Sequence, residues 1–348
     1  MNPFLTFILL FALGLGTTIT FASSHWFLAW MGLEINTIAI LPLMVKFHHP
    51  RAVEATLKYF LAQATAASTL LFATMTNAWL TGQWDIQHMT DPLSVSLVTL
   101  ALALKIGLAP FHTWLPEVLQ GLDLGTGLIL STWQKLAPFA LLIQIVPHNA
   151  SLLVVLGLGS TLVGGWGGLN QTQLRKVLAY SSIAHLGWMI LVLQFAPGLS
   201  FLTLFMYLIM TFSTFLVFKW INVTNINALG VSWAKAPAVT ALMPLVLLSL
   251  GGLPPLSGFM PKWLILQELS KQDLGVVAVL AAFTALLSLY FYLRLSYALS
   301  LTMFPNNLVG VLPWRFQPSQ VTFVFAVSIM VSLVLLPLTP TMIALFCW

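Results

Sequence analysis

The chain has 348 residues, of which 59% are hydrophobic and only 6% charged, with a formal net charge of +5. Soluble domains carry about 25% charged residues, so this composition excludes a water-clothed globule and implies an all-α, polytopic membrane protein. A β-barrel is excluded as well, because the apolar runs are continuous over helix-spanning lengths and do not alternate.

In chain order, polar and Gly/Pro-rich punctuation divides the runs into eleven expected spans, near 3–22, 25–45, 56–79, 92–119, 126–146, 151–169, 177–196, 199–218, 238–269, 275–298 and 321–345. MNPFLTFILLFALGLG enters the first span with no basic residue ahead of it, so it reads as a span and not as a cleavable signal. The second span, WMGLEINTIAILPL, holds Glu34, the one carboxylate near the middle of any span. The fourth contains KIGLAPFHTWLPE, in which Lys105 and His112 flank a run of helix breakers. At about 1.5 Å per residue, Lys105 falls near mid-membrane. STWQKLAP puts Lys135 in the middle of span 5, and GGWGG (Gly164–Gly168) in span 6 marks close helix packing. His185 lies in span 7, and Lys262 follows the break GGLPPLSGFMPK in span 9.

Loop charges orient these spans. Lys46, Arg51, Lys58, Arg175, Lys176, Lys219, Lys235, Arg294 and Arg315 fall in or beside the loops after spans 2, 6, 8 and 10, and only Lys271 falls on the other side. The positive-inside rule then puts the N-terminus on the basic side and the C-terminus opposite. His48, His49, His88 and His148 lie in loops. Two groups of five spans emerge, each with its fourth member broken, and the odd group size inverts the second group. Paired broken spans mark a transport site between inverted repeats. The expectation is one membrane domain, with residues 1–146 as the first repeat, 147–300 as the inverted second, and 301–348 as a C-terminal helix.

An ammonium at mid-membrane costs about 2.5–3.5 kcal/mol or more. It is tolerated beside a carboxylate or where it can give up its proton. Glu34 at matching depth is the expected partner of Lys105. Glu34, Lys105, Lys135 and Lys262, with His112 and His185 as further candidates, form a line of groups able to hand on a proton. Prolines 110, 116, 254, 255 and 261 free backbone groups at a depth where only protein or water can satisfy them. The structural alternatives are a static Glu34–Lys105 salt bridge and packed, hydrogen-bonded histidines.

Other signals are negative. The single cysteine, Cys347, excludes disulfides within the chain and Cys-ligated centres. The GLG pieces at 14–16 and 157–159 lie inside spans and lack the strand–turn–helix context of a dinucleotide site. The sequons at Asn149 and Asn222 fall on opposite faces and read as chance.

KIGLAPFHTWLPE (Lys105–Glu117), STWQKLAP (Ser131–Pro138), LRKVLAYSSIAHLGW (Leu174–Trp188) and GGLPPLSGFMPKW (Gly251–Trp263) resemble the antiporter-like membrane subunits of respiratory complex I, in the animal mitochondrial form. The resemblance runs along the whole chain. It implies two inverted five-helix repeats and a proton-translocating role coupled to redox chemistry in other subunits. Glu34 and Lys105 match the family's glutamate–lysine pair, Lys135 its bridging lysine, Lys262 its terminal lysine, and His112 the histidine of the first broken helix. It implies no cofactor in this chain, since NADH, FMN, iron–sulfur clusters and ubiquinone belong to other subunits. The implied partners are other membrane-arm subunits and lipids, with no nucleic acid. The implied location is the mitochondrial inner membrane, with the basic loops in the matrix. About three N-terminal helices of the larger relatives are missing, as in other animal mitochondrial forms. Two alternatives are a stand-alone Na⁺/H⁺ antiporter, which predicts the same repeats and buried lysines, and a scaffold that moves no protons. The scaffold needs no aligned mid-membrane charges and is disfavoured by the three lysines.

Overall fold

Backbone N–H and C=O groups left bare in hydrocarbon cost several kcal/mol each, and this chain meets the constraint with helices. A computed structural model describes residues 2–46, 49–145, 150–234, 237–300 and 322–346, and among these residues there is no β-strand. Lys235, Arg315, His48, His148, Asn149 and Cys347 lie outside the described residues. The chain divides into two compact units, Met1–Leu156 and Gly157–Trp348.

The first unit holds α1 (Pro3–Ala22), α2 (Trp26–Met44), α3 (Pro50–Thr81), α4 (Pro92–Ile106), α5 (Trp114–Gly121) and α6 (Leu124–Gln144). Proline opens α1, α3 and α4, where a missing N–H costs nothing. The side chains of Asn2, His49 and Asp91 cap these three helices by accepting from backbone N–H groups. α1 and α2 cross at glycines. A Cβ on Gly16 would stand 2.8 Å from the Gly32 carbonyl oxygen, and one on Gly32 would stand 2.9 Å from that of Gly16. Such contact lets backbones pack directly where lipid offers no hydrophobic drive to associate. α3 packs along α4 and α5, and α6 lies against α1, α2 and α4.

α7 (Ala150–Gly168) begins in the first unit and ends in the second. The second unit continues with α8 (Leu174–Leu193), α9 (Pro197–Ile221), α10 (Ile226–Gly230), α11 (Pro237–Gly251), α12 (Phe259–Lys271), α13 (Gly275–Ser300), α14 (Thr322–Val334) and α15 (Thr339–Phe346). The GGWGG segment packs closely, as expected. A Cβ on Gly164 would meet the Ala184 backbone nitrogen at 2.6 Å, and one on Gly168 would meet the Phe291 ring at 2.8 Å.

Both expected breaks are present. α4 stops at Gly107 (φ +88°) before α5, and α11 stops before Gly252 (φ +78°) and α12. Each break also contains a cis X–Pro bond, Ala109–Pro110 and Pro254–Pro255. The expected single C-terminal helix is not continuous. α14 and α15 are bent by 65° about a short 3₁₀ turn, Leu336–Leu338, where Pro337 and Pro340 cannot both be accommodated in an unbroken helix.

By length and composition, seven helices of the described residues suffice to cross a membrane, or eight if the bent C-terminal pair is one span. α3 is absent from that set, as are the broken pairs α4–α5 and α11–α12. The halves of each pair are too short alone, and α3 is rich in Ala and Thr and carries Arg51, Glu54 and Lys58.

A further correspondence has no side-chain signature. In the first unit Trp26 N–H donates to the Trp84 carbonyl and Ile86 N–H to that of Ser24, both at 3.0 Å. In the second, Leu174 N–H donates to Thr224 at 3.0 Å and Ile226 N–H to Thr172 at 3.1 Å. Each tie joins the start of α2 or α8 to the loop just after α3 or α9.

Candidate functional site

The site in the first unit is built where α4 ends. Breaking that helix frees carbonyls that need donors, and side chains supply them. Trp114 Nε1 donates to the Leu104 carbonyl at 3.1 Å, and Gln63 Nε2 to that of Lys105 at 3.3 Å. Lys105 sits in the last turn of α4, where the helix dipole favours a cation. Its side chain is almost fully buried (2% exposed), and Nζ lies 4.0 Å from Glu34 Oε1. This separation exceeds a hydrogen bond, and Lys105 Nζ has no hydrogen-bond partner among the described residues. Glu34 is a quarter exposed, and its other carboxylate oxygen accepts from Thr37 Oγ1 at 3.1 Å.

Lys135, on α6, is also buried and lines the same small cavity as Lys105. Neutral amides complete the polar wall: Asn36, Gln63 and Gln134. Gln134 Nε2 donates to the Asn36 carbonyl at 3.1 Å, tying α6 to α2. The sequence reading followed charges and histidines and so passed over these amides. His112 lies within the break, half-buried, with Nδ1 shielded from solvent.

In the second unit, Lys262 stands in the first turn of α12, after the break, whereas Lys105 stands before its own. Its side chain reaches back, and Nζ donates to the Gly251 carbonyl at 2.7 Å. Both ammonium groups therefore belong to the C-terminal end of the half-helix that precedes the break, the end that carries partial negative charge. His185, on α8, packs its ring 5.6 Å from that of Tyr207. So Glu34, Lys105 and Lys135 come together in the first unit, while Lys262 and His185 lie in the second.

Residues 23–288 match the family described as NADH:quinone oxidoreductase/Mrp antiporter, TM, and residues 289–343 match NADH dehydrogenase subunit 2 C-terminus. Over 346 residues the chain is 70% identical to NADH-ubiquinone oxidoreductase chain 2 of Tetraodon nigroviridis, covering 99% of both. The chain belongs to the NADH-ubiquinone oxidoreductase chain 2 family. A second family member, from Gadus morhua, is 66% identical over 345 residues, again covering 99% of each chain. Among solved structures, a chain of respiratory complex I from Thermus thermophilus aligns with a TM-score of 0.79 at 29% identity, covering 97% of this chain and 80% of that one. A chain of the archaeal membrane-bound sulfane sulfur reductase shares the fold, with a TM-score of 0.84 at 19% identity over 96% and 73%. The family read from the four motifs is thus the family found.

Proposed function

We infer that this chain is a membrane-arm subunit of proton-pumping NADH:ubiquinone oxidoreductase, and that it moves protons through Glu34, Lys105, Lys135 and Lys262. The observation that carries the relay is the buried Lys105, held 4.0 Å from Glu34 and sharing a cavity with Lys135. A carboxylate close by stabilises the charged ammonium, and its withdrawal favours release of the proton. Redox chemistry in other subunits shifts Glu34 relative to Lys105. The proton released from Lys105 then passes to Lys135 and onward by way of Lys262 in the second unit, with His112 and His185 as assisting groups. NADH, flavin, iron–sulfur clusters and quinone are held by those other subunits.

The reading includes two inverted repeats, residues 1–146 and 147–300, followed by the C-terminal segment 301–348. The matching backbone ties and the left-handed glycines at both breaks support it. Eleven spans result when α3 and each broken pair are counted as spans beside the other eight. In this arrangement the basic loops and N-terminus face the mitochondrial matrix, and the C-terminus faces the intermembrane space.

The test is proton pumping by the assembled complex carrying Lys105→Met or Glu34→Gln. Each variant should assemble yet translocate fewer protons per electron pair. Full pumping in both would refute the relay.

A further inference from the structure

Asn36 is buried at 2% exposure, yet neither its Oδ1 nor its Nδ2 finds a hydrogen-bond partner among the described residues. A buried amide left in that state costs about 1–3 kcal/mol for each unmet group, so its place calls for an explanation. Asn36 lines the cavity shared by Lys105, Gln134 and Lys135, whose volume is about 20 Å³. A cavity needs roughly 10–15 Å³ and two to four polar partners to hold one water. Lys105, whose Nζ also has no hydrogen-bond partner among the described residues, lines the same cavity.

We propose that Asn36 is a positioning residue, and that its side chain seats a single water between Lys105 and Lys135. This rests on the relay reading above. The chemistry suits an amide better than a carboxylate or a hydrocarbon. A water that passes a proton accepts one hydrogen from the Lys105 ammonium and gives a different hydrogen to neutral Lys135. Lys105 is left neutral, Lys135 is left charged, and the water is conserved but rotated. It needs a neighbour that accepts from it in one orientation and donates to it in the other. Oδ1 and Nδ2 of Asn36 provide both without adding a charge that would trap the proton. Glu34, on the same helix, controls whether Lys105 holds its proton, and Asn36 governs the path the proton takes when released.

Two measurements test this. A density map of the whole complex, fine enough to show waters elsewhere inside this chain, should show one peak within hydrogen-bonding distance of Asn36 Oδ1 or Nδ2. An empty cavity in such a map overturns the proposal. In the assembled complex, Asn36→Leu, similar in size but apolar, should slow coupled proton transfer up to about tenfold, the effect of losing one hydrogen bond to the water. Asn36→Ser, which still donates and accepts, should restore most of it. A purely structural role predicts instead that the two variants lose assembly in proportion to the packing they lose, with no difference in protons per electron pair. If Lys105→Met pumps normally, the relay itself fails. If Lys105→Met is inactive while Asn36→Leu pumps normally, only the water seat fails.

Discussion

Gly82 and Gly107 both end helices in the left-handed region, at φ +73° and +88°, but their surroundings differ. A Cβ on Gly82 would meet nothing within 4 Å, whereas one on Gly107 would stand 2.9 Å from Leu115 Cδ1. Gly82→Ala should therefore cost about 1–2 kcal/mol from conformation alone, and Gly107→Ala should cost more. Thermal unfolding of the assembled complex ranks the two, and equal midpoints would contradict this account. At Lys262, replacement by Met removes the donor to the Gly251 carbonyl. Faster hydrogen exchange should then appear across residues 252–258 together with the loss of pumping. The charged members of the site were legible in the sequence, because a lysine or glutamate in an apolar run is too costly to be incidental. The amides were not, because a neutral Asn or Gln in a span is also common packing. Only the three-dimensional wall shows that Asn36 and Gln134 face Lys105 and Lys135.

The half-helix α5 is held from outside as well as by its break. Lys58 on α3 lies 2.8 Å from Glu54 and 2.7 Å from Glu117 on α5, all three exposed. Pairs in water are weak and screened by salt, so this clamp tunes the position of α5 and contributes little to the fold. Glu117→Gln should raise hydrogen exchange over 114–121 at low salt, with the difference vanishing in about 1 M salt, where the screening length is about 3 Å. At the start of α4, the Asp91 carboxylate accepts from Ser94 N–H at 2.8 Å and Ser94 Oγ–H at 2.6 Å, which holds its carboxyl below the usual carboxylate range. The sign follows. The cap is fully present above the unfolded value of about 3.9 and is lost as pH falls through the lower folded value. Asp91→Asn should thus differ from the native chain by a constant amount near neutral pH, and the difference in thermal midpoint should shrink below about pH 4. Glycine and proline announced both breaks in the sequence. The bend at Leu336–Leu338 carried the same signal in PLTP but was masked by the long apolar run around it. The backbone ties between loops left no trace, since any residue can supply an N–H and a carbonyl.

At the scale of the whole chain, loop charge predicts which side each connection faces. With Cys347 replaced by Ser, a cysteine at Asn170 should react with a membrane-impermeant maleimide only in inside-out inner-membrane vesicles. One at Gln272 should react only in right-side-out mitoplasts, and the reverse pattern would invert the proposed topology. α1 presents Phe4, Phe7 and Phe11 outward, an apolar face available to lipid or to a neighbouring subunit. On its other side α1 meets α2 at Gly16 and Gly32, where the backbones come close and the Asn36 and Thr20 side chains pack against the two glycines. α2 carries Glu34, and the 4.0 Å that parts it from Lys105 is within about 1 Å of a hydrogen bond. The two helices thus form a stiff lever with a greasy outer handle and a carboxylate at its inner tip. A displacement of about 1 Å is enough to open or close the contact between Glu34 and Lys105.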